Sequence, residues 1–239
     1  GRNRMWGSQF SRPVWRRPDR VPVPDQPITA PERVDLAVVG GGLQGLSTAY
    51  FAALKGLSVR VIEARALGEG ASGLNGGQVI PGLKFDPDWI IDQFGEARGT
   101  ALVDFSAGSA DVVFDLIAAH GLDVEHARAG WIYAAHTPSA LTVAEERNRQ
   151  WRARGADVLL LNGAETALLT GAGGYVGGWL DRRGGTINPL AFTIELAHLA
   201  AEAGVRIATG IAATRLRRAN GDWQVETTAG PTVTARTVL

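Results

Sequence analysis

The sequence predicts an α/β fold: a parallel sheet continued by an antiparallel β-meander and interrupted by a mixed α/β insertion. Three observations carry this. The apolar run Asp35-Leu-Ala-Val-Val leads straight into Gly40-Gly41-Gly42-Leu43-Gln44-Gly45 and an apolar segment to Lys55, which is the pattern of strand, glycine turn and helix. A second apolar strand, Ser58 to Glu63, ends on an acid eighteen residues beyond Gly45. Val205 to Ile207 then suits a strand returning to that sheet. It is followed by Thr214 to Arg218, Trp223 to Thr228 and Thr232 to Ala235, with turn signals at Asn220-Gly221 and Ala229-Gly230.

The first of these segments is a Rossmann-like dinucleotide fingerprint. Gly40 makes the tight turn, Gly42 lets backbone approach a pyrophosphate, and Gly45 lets the helix pack on the sheet. The N–H groups of Leu43 and Gln44, at the positive end of the helix dipole, face the phosphate charge. Glu63 stands where an acceptor for the ribose hydroxyls is needed, and an acid there disfavours a 2′-phosphate and hence NADP. Glycine turns also occur for purely structural reasons. Here strand, helix and acid agree in one unit, which favours dinucleotide binding.

With 239 residues, 45% of them hydrophobic, the chain suits one large domain or two intimate ones. Its 24 basic and 24 acidic residues cancel, so no global field draws nucleic acid or an anionic membrane. The lack of cysteine excludes disulfides, thiolate nucleophiles and cofactor attachment through sulfur. His120, His126, His136 and His198 have no metal-ligand spacing, so no metal site is expected. Ser47, Ser72 and Ser106 lack the nucleophile-elbow pattern of a hydrolase.

Residues 1–29 form an Arg- and Pro-rich arm, expected to be extended. Its arginines read as solvated, or else as contacts for an anion or a partner, and Trp6, Phe10 and Trp15 suggest that part of it docks on the body. No apolar stretch long enough for a signal or a membrane span follows it, and the expectation is a cytoplasmic protein.

After Glu63 comes Gly70-Ala-Ser72-Gly-Leu-Asn75-Gly76-Gly77-Gln78, too glycine-rich for a regular helix throughout. Such a segment brings bare backbone N–H groups to an extended ligand; a surface loop is the plainer reading. Glu96 to His120 suits one long helix or two shorter ones. Trp131 to Ala135 reads as a strand, and Thr137-Pro138 as the cap of a charged helix running to Gly155. Asp157 to Leu161 reads as a strand before a short helix capped by Asn162, and Tyr175 to Asp181 as extended chain. Asn188-Pro189 caps a helix through Ala203. Trp131, Tyr133, Trp179 and Phe85 suit core better than a pocket lining.

These segments resemble the D-amino-acid-oxidase-like superfamily of FAD oxidoreductases, and within it the γ-glutamylputrescine oxidoreductases. The residues that carry the resemblance are Val38-Val-Gly-Gly-Gly-Leu-Gln-Gly-Leu-Ser47, Val61-Ile-Glu-Ala-Arg65, Gly70 to Gln78, Ala129-Gly-Trp-Ile-Tyr133 and Gly184-Gly-Thr-Ile-Asn-Pro-Leu190. It implies a Rossmann-like FAD-binding domain over 30–84 and 183–239, with 85–182 as part of a substrate domain. Non-covalent FAD would lie along Gly40, Gly42, Leu43, Gln44 and Gly45, with Glu63 and Arg65 at the ribose. Ser72, Asn75, Gly76 and Gly77 would follow the diphosphate towards the flavin, and backbone at Ala213 would hold the adenine.

Three positions depart from the pattern: Leu74 replaces an arginine, Asn188 a histidine and Ala213 a valine. The implied reaction is hydride transfer from the C–N carbon of an amine or amino acid to flavin, with oxygen or a quinone as final acceptor. The resemblance assigns no catalytic residue. A nicotinamide-dependent reductase and a non-catalytic cofactor-binding fragment are the competing readings. Because family members are longer, these residues read as the amino-terminal portion of such an enzyme, expected to turn over little on their own.

Overall fold

The computed structural model describes residues 14–239, so Trp6 and Phe10 lie outside the described residues. In chain order the elements begin β1 (Glu32–Val39), α1 (Leu43–Leu54), β2 (Val59–Ile62), α2 (Ala71–Leu74), β3 (Gln78–Val79), α3 (Pro87–Phe94), α4 (Glu96–Ala107) and α5 (Ser109–His120). They continue with β4 (His126–Ala127), β5 (Trp131–Ala135), α6 (Pro138–Ala153), β6 (Val158–Asn162), α7 (Gly163–Thr170) and β7 (Gly177–Asp181). The last are β8 (Gly185–Ile187), α8 (Pro189–Glu202), β9 (Arg206–Ala208), β10 (Ala213–Ala219), β11 (Asp222–Thr227) and β12 (Val233–Val238).

The chain divides into two compact units. The first holds the described residues through Gly76, Asp123–Glu125 and Asn188–Leu239. Its six-stranded sheet has the order β10-β11-β12-β1-β2-β9. β12, β1, β2 and β9 run parallel, while β10 and β11 form the antiparallel meander. Val38 pairs with Val61 and Val61 with Ile207, so the returning strand lies in the same sheet as the glycine turn. All four residues of β2 are buried, as expected of a central parallel strand. Leu46, Ala49 and Tyr50 turn the buried face of α1 inward, and α1 packs on α8. Val34, Ala37, Ile62, Val225 and Val233 form a core cluster with Ile28 of the arm. Each Val or Ile among them contributes about 1.5–3 kcal/mol when fully buried.

Helix α8 is buried on every side from Pro189 to Ala200, including the polar Asn188, Thr193, Glu195 and His198. A helix apolar on one stripe alone would not be covered this way. Part of the cover is the arm, where Arg16 and Arg20 are paired rather than solvated as expected, while Arg2, Arg4 and Arg12 lie outside the described residues. Arg16 binds Asp123 at 2.9 Å and Glu125 at 3.1 Å. Arg20 binds Glu195 at 2.8 Å and Glu202 at 3.3 Å, and Gln26 N–H donates to Ile207 O at 2.8 Å.

The second unit comprises Gly77–Leu122 and His126–Ile187. It has two antiparallel three-stranded sheets, β3-β8-β4 and β5-β7-β6. Ile90, Val103, Ala144, Trp151, Val158 and Trp179 form a core cluster, with Trp131 and Tyr133 packed against it. Phe85 instead is exposed and stacks on Trp89, ring centroids 3.9 Å apart.

The expected boundaries at 84/85 and 182/183 move to Gly76/Gly77 and Ile187/Asn188. Strands β3 and β8 pair with each other and β8 with β4, so 77–84 and 183–187 belong with the second unit. Two- and three-residue strands have no readable period. The run 96–120 divides at Gly108, the cap between α4 and α5. Helix α3, with Pro87 in its first turn, was not expected.

Candidate functional site

The site grows from the turn between β1 and α1. Gly40 leaves the strand with φ +112°, a conformation costly for other residues, and its N–H donates to Ile62 O at 2.9 Å. Gly42 is the N-cap of α1. Gly42 supplies no side-chain cap and no acid lies in the first turn, so the helix itself puts no charge against the positive end of its dipole. A Cβ on Gly45 would stand 2.1 Å from Gly40 O and 2.9 Å from Val38 Cγ1, so only glycine allows α1 this close to the turn. A Cβ on Gly42 would stand 2.8 Å from Ser72 Oγ.

Ser72 brings in the second glycine-rich segment. Its hydroxyl accepts the Leu43 N–H at 3.0 Å. Gly40, Gly42, Leu43, Gln44, Gly45 and Ser72 therefore line one cleft of about 310 Å³, with Val38, Val39 and Leu239. A cleft of about 740 Å³ elsewhere along α1 includes Phe51, Lys55 and Arg236 and none of the candidate residues.

Glu63 sits at the edge of the turn. Its carboxylate accepts the N–H of Gly41 at 2.7 Å and of Arg65 at 2.9 Å. Its own N–H donates to Ala208 O at 2.8 Å, and its carbonyl accepts Ile211 N–H at 3.0 Å. Backbone bonds on both sides thus fix the carboxylate, and each oxygen keeps acceptor capacity for a hydroxyl. Arg65 is exposed, with Nη2 3.4 Å from where a Cβ on Gly70 would lie.

Asn75 ends α2, donating from Nδ2 to Ala71 O at 3.1 Å and Ser72 O at 2.9 Å. Gly76 follows, exposed. Gly77 opens the second unit with φ +69° and accepts Ile187 N–H at 2.8 Å. Ala213 is the first residue of β10, facing Thr227. It is Gly210 and Ile211 that bond the Glu63–Arg65 segment, Gly210 N–H donating to Arg65 O at 3.3 Å. Sequence reasoning missed those two, whose role is purely backbone.

Asn188 is buried; its Oδ1 caps α8 by accepting Ala191 N–H at 3.0 Å, and its Nδ2 donates to Arg16 O at 2.7 Å. Among the described residues no group of three or more His, Cys, Asp or Glu is placed to hold a metal, and no helix is long and apolar enough to cross a membrane.

A helix head with no cap or acid of its own, a turn in which Gly45 has no room for a Cβ and an acid at the end of the second strand fit the pattern of a dinucleotide cradle. Residues 35–239 match the family model of FAD dependent oxidoreductases (DAO), and the chain belongs to that family. It is 32% identical over 206 residues to gamma-glutamylputrescine oxidoreductase of Escherichia coli, covering 86% of this chain and 48% of the relative. It is 30% identical over 225 residues to the probable oxidoreductase OrdL of Rhizobium meliloti, covering 91% and 52%. The chain thus spans about half the length of the curated relatives it matches.

The fold is that of glycine oxidase from Geobacillus kaustophilus, with TM-score 0.72 and 22% identity over 86% of this chain and 54% of that one. L-amino acid deaminase from Proteus myxofaciens shares it equally well, with TM-score 0.72 and 22% identity over 94% and 49%.

Proposed function

We propose that this chain supplies the FAD-binding part of an oxidoreductase that oxidises the C–N bond of an amine or amino acid to an imine. The observation that best supports it is the joint cradle of Gly40–Gly45 and Ser72 beside Glu63. In this reading the N–H groups at the head of α1 and the Ser72 hydroxyl hold the diphosphate. Glu63 accepts the ribose hydroxyls, while Arg65 and the Gly210–Ile211 backbone flank the adenosine. Asn75, Gly76 and Gly77 lead towards the flavin, and Ala213 lies near the adenine end.

FAD, when bound, supplies the acceptor for the electron pair and proton leaving the substrate carbon. This chain's residues bind and orient it. A nicotinamide reductase would also use the first turn, but gives no reason for a second glycine-rich segment bonded to the head of α1.

The relatives' names point to small amines and amino acids. With the family resemblance, the substrate class proposed is a γ-glutamylputrescine-like amine or a D-amino-acid-like compound, with oxygen or a quinone as acceptor. An amine and amino-acid panel assayed in the full-length protein, by peroxide release and separately by reduction of a quinone, tests this. Turnover of a member of that panel supports the reading. Nicotinamide-dependent turnover with no bound flavin would reject it.

A further inference from the structure

We propose that Trp15 is a positioning residue for the cofactor loop and that the arm from Trp15 to Arg20 is the clamp that carries it. This rests on the FAD reading of the glycine cradle. The indole N–H of Trp15 donates to Asn75 O at 2.9 Å. Asn75 closes α2, the four-residue helix whose Ser72 holds the Leu43 N–H. A helix that short has no stability of its own, so its geometry is set by what it touches.

On one side it touches α8. A Cβ on Gly68 would stand 2.4 Å from Leu190 Cδ1, and one on Gly73 3.0 Å from the same atom. Thr193 Oγ1 also donates to Ser72 O at 3.4 Å. At its exit, where Asn75 and Gly76 are exposed, it meets Trp15.

The arm is fastened so that Trp15 stays in place. Directly after it, the Arg16 carbonyl accepts from Asn188 Nδ2 at 2.7 Å, and the Arg16 guanidinium spans Asp123 and Glu125. Asp19 N–H donates to Asp123 Oδ2 at 3.0 Å. Arg20 then reaches Glu195, whose side chain is 2% exposed and whose Oε1 has no hydrogen-bond partner among the described residues. The charge of that buried carboxylate leans on Arg20, which gives the clamp a specific seat. The same helix thus holds the arm through Asn188 and Glu195 and the cofactor loop through Leu190 and Thr193.

Trp15→Phe in the full-length protein keeps the ring and deletes the donor. Titration of apoprotein with FAD, and in parallel with adenosine as a probe of the contacts at Glu63 that α2 does not make, separates positioning from folding. We expect FAD to bind about two- to tenfold more weakly, the loss of one neutral hydrogen bond, with adenosine affinity and the apoprotein melting temperature unchanged. Arg20→Gln, which releases the clamp at its seat, should weaken FAD binding in the same direction.

Wild-type FAD affinity in Trp15→Phe would overturn the proposal. So would equal weakening of FAD and adenosine together with earlier melting, which marks a merely structural role. Failure of the wild type itself to bind FAD would be failure of the underlying reading, visible before any variant is compared, and would take the proposal with it.

Discussion

Ser72 Oγ lies 3.0 Å from the backbone nitrogen of Leu43 and accepts its N–H, although the two residues are 29 apart in sequence. One hydroxyl therefore ties the second glycine-rich segment to the head of α1, and its own hydrogen remains free to donate to an anion in the cleft. Ser72→Ala removes both interactions. Its FAD affinity should fall by about tenfold in titration of the apoprotein, with little change in melting temperature.

Gly42 and Gly45 separate binding from folding. A side chain at Gly45 meets the fixed carbonyl of Gly40, so Gly45→Ala should destabilise the fold by about 1–3 kcal/mol, read by denaturant unfolding. Gly42 faces the cleft and the rotatable Ser72 hydroxyl. Gly42→Trp should leave the apoprotein folded by circular dichroism while abolishing FAD binding.

Glu63→Ala removes the carboxylate that accepts two backbone N–H groups and is assigned to the ribose hydroxyls. A hydrogen bond to a charged group is worth about 1.5–3 kcal/mol, so FAD should bind about ten- to a hundredfold more weakly. Glu63→Gln, which keeps one acceptor oxygen, should fall between the two. Equal affinity in all three proteins would remove Glu63 from the site.

Burial, and then the positive charge of Arg20, lower the pKa of His198 from its ordinary 6.5, against the opposing influence of Glu195, Glu202 and a backbone hydrogen bond with Val21. The folded state therefore resists protonation more than the unfolded chain does. Stability is complete above about pH 6.5 and declines as the pH falls below it. Melting temperatures between about pH 7.5 and pH 5.5 should drop in the wild type, and His198→Gln should flatten that drop. Glu32 adds nothing in this window: burial works to raise its pKa, but Arg60 and Arg206 hold it below its ordinary 4.5.

Local chemistry made much of this legible in sequence. The turn at Gly40 to Gly45 and the acid at Glu63 follow from spacing, the meander from Asn220-Gly221 and Ala229-Gly230, and the start of α8 from Asn188-Pro189. The burial of α8 was hidden, because the partner of Glu195 is Arg20, 175 residues away. Strands β3 and β8 were hidden by their length. Gly210 and Ile211 were hidden because they act through backbone that any residue carries, leaving Ala213 as the visible marker of that segment.

The central claim is that the glycine cradle takes FAD. Its most direct measurement is titration of the full-length apoprotein, wild type and Gly42→Trp, with FAD and separately with NADH. The account predicts saturable FAD binding that turns the wild type yellow, no such binding in Gly42→Trp, and no uptake of NADH by either. NADH binding that excludes FAD, or FAD binding untouched by Gly42→Trp, would contradict it.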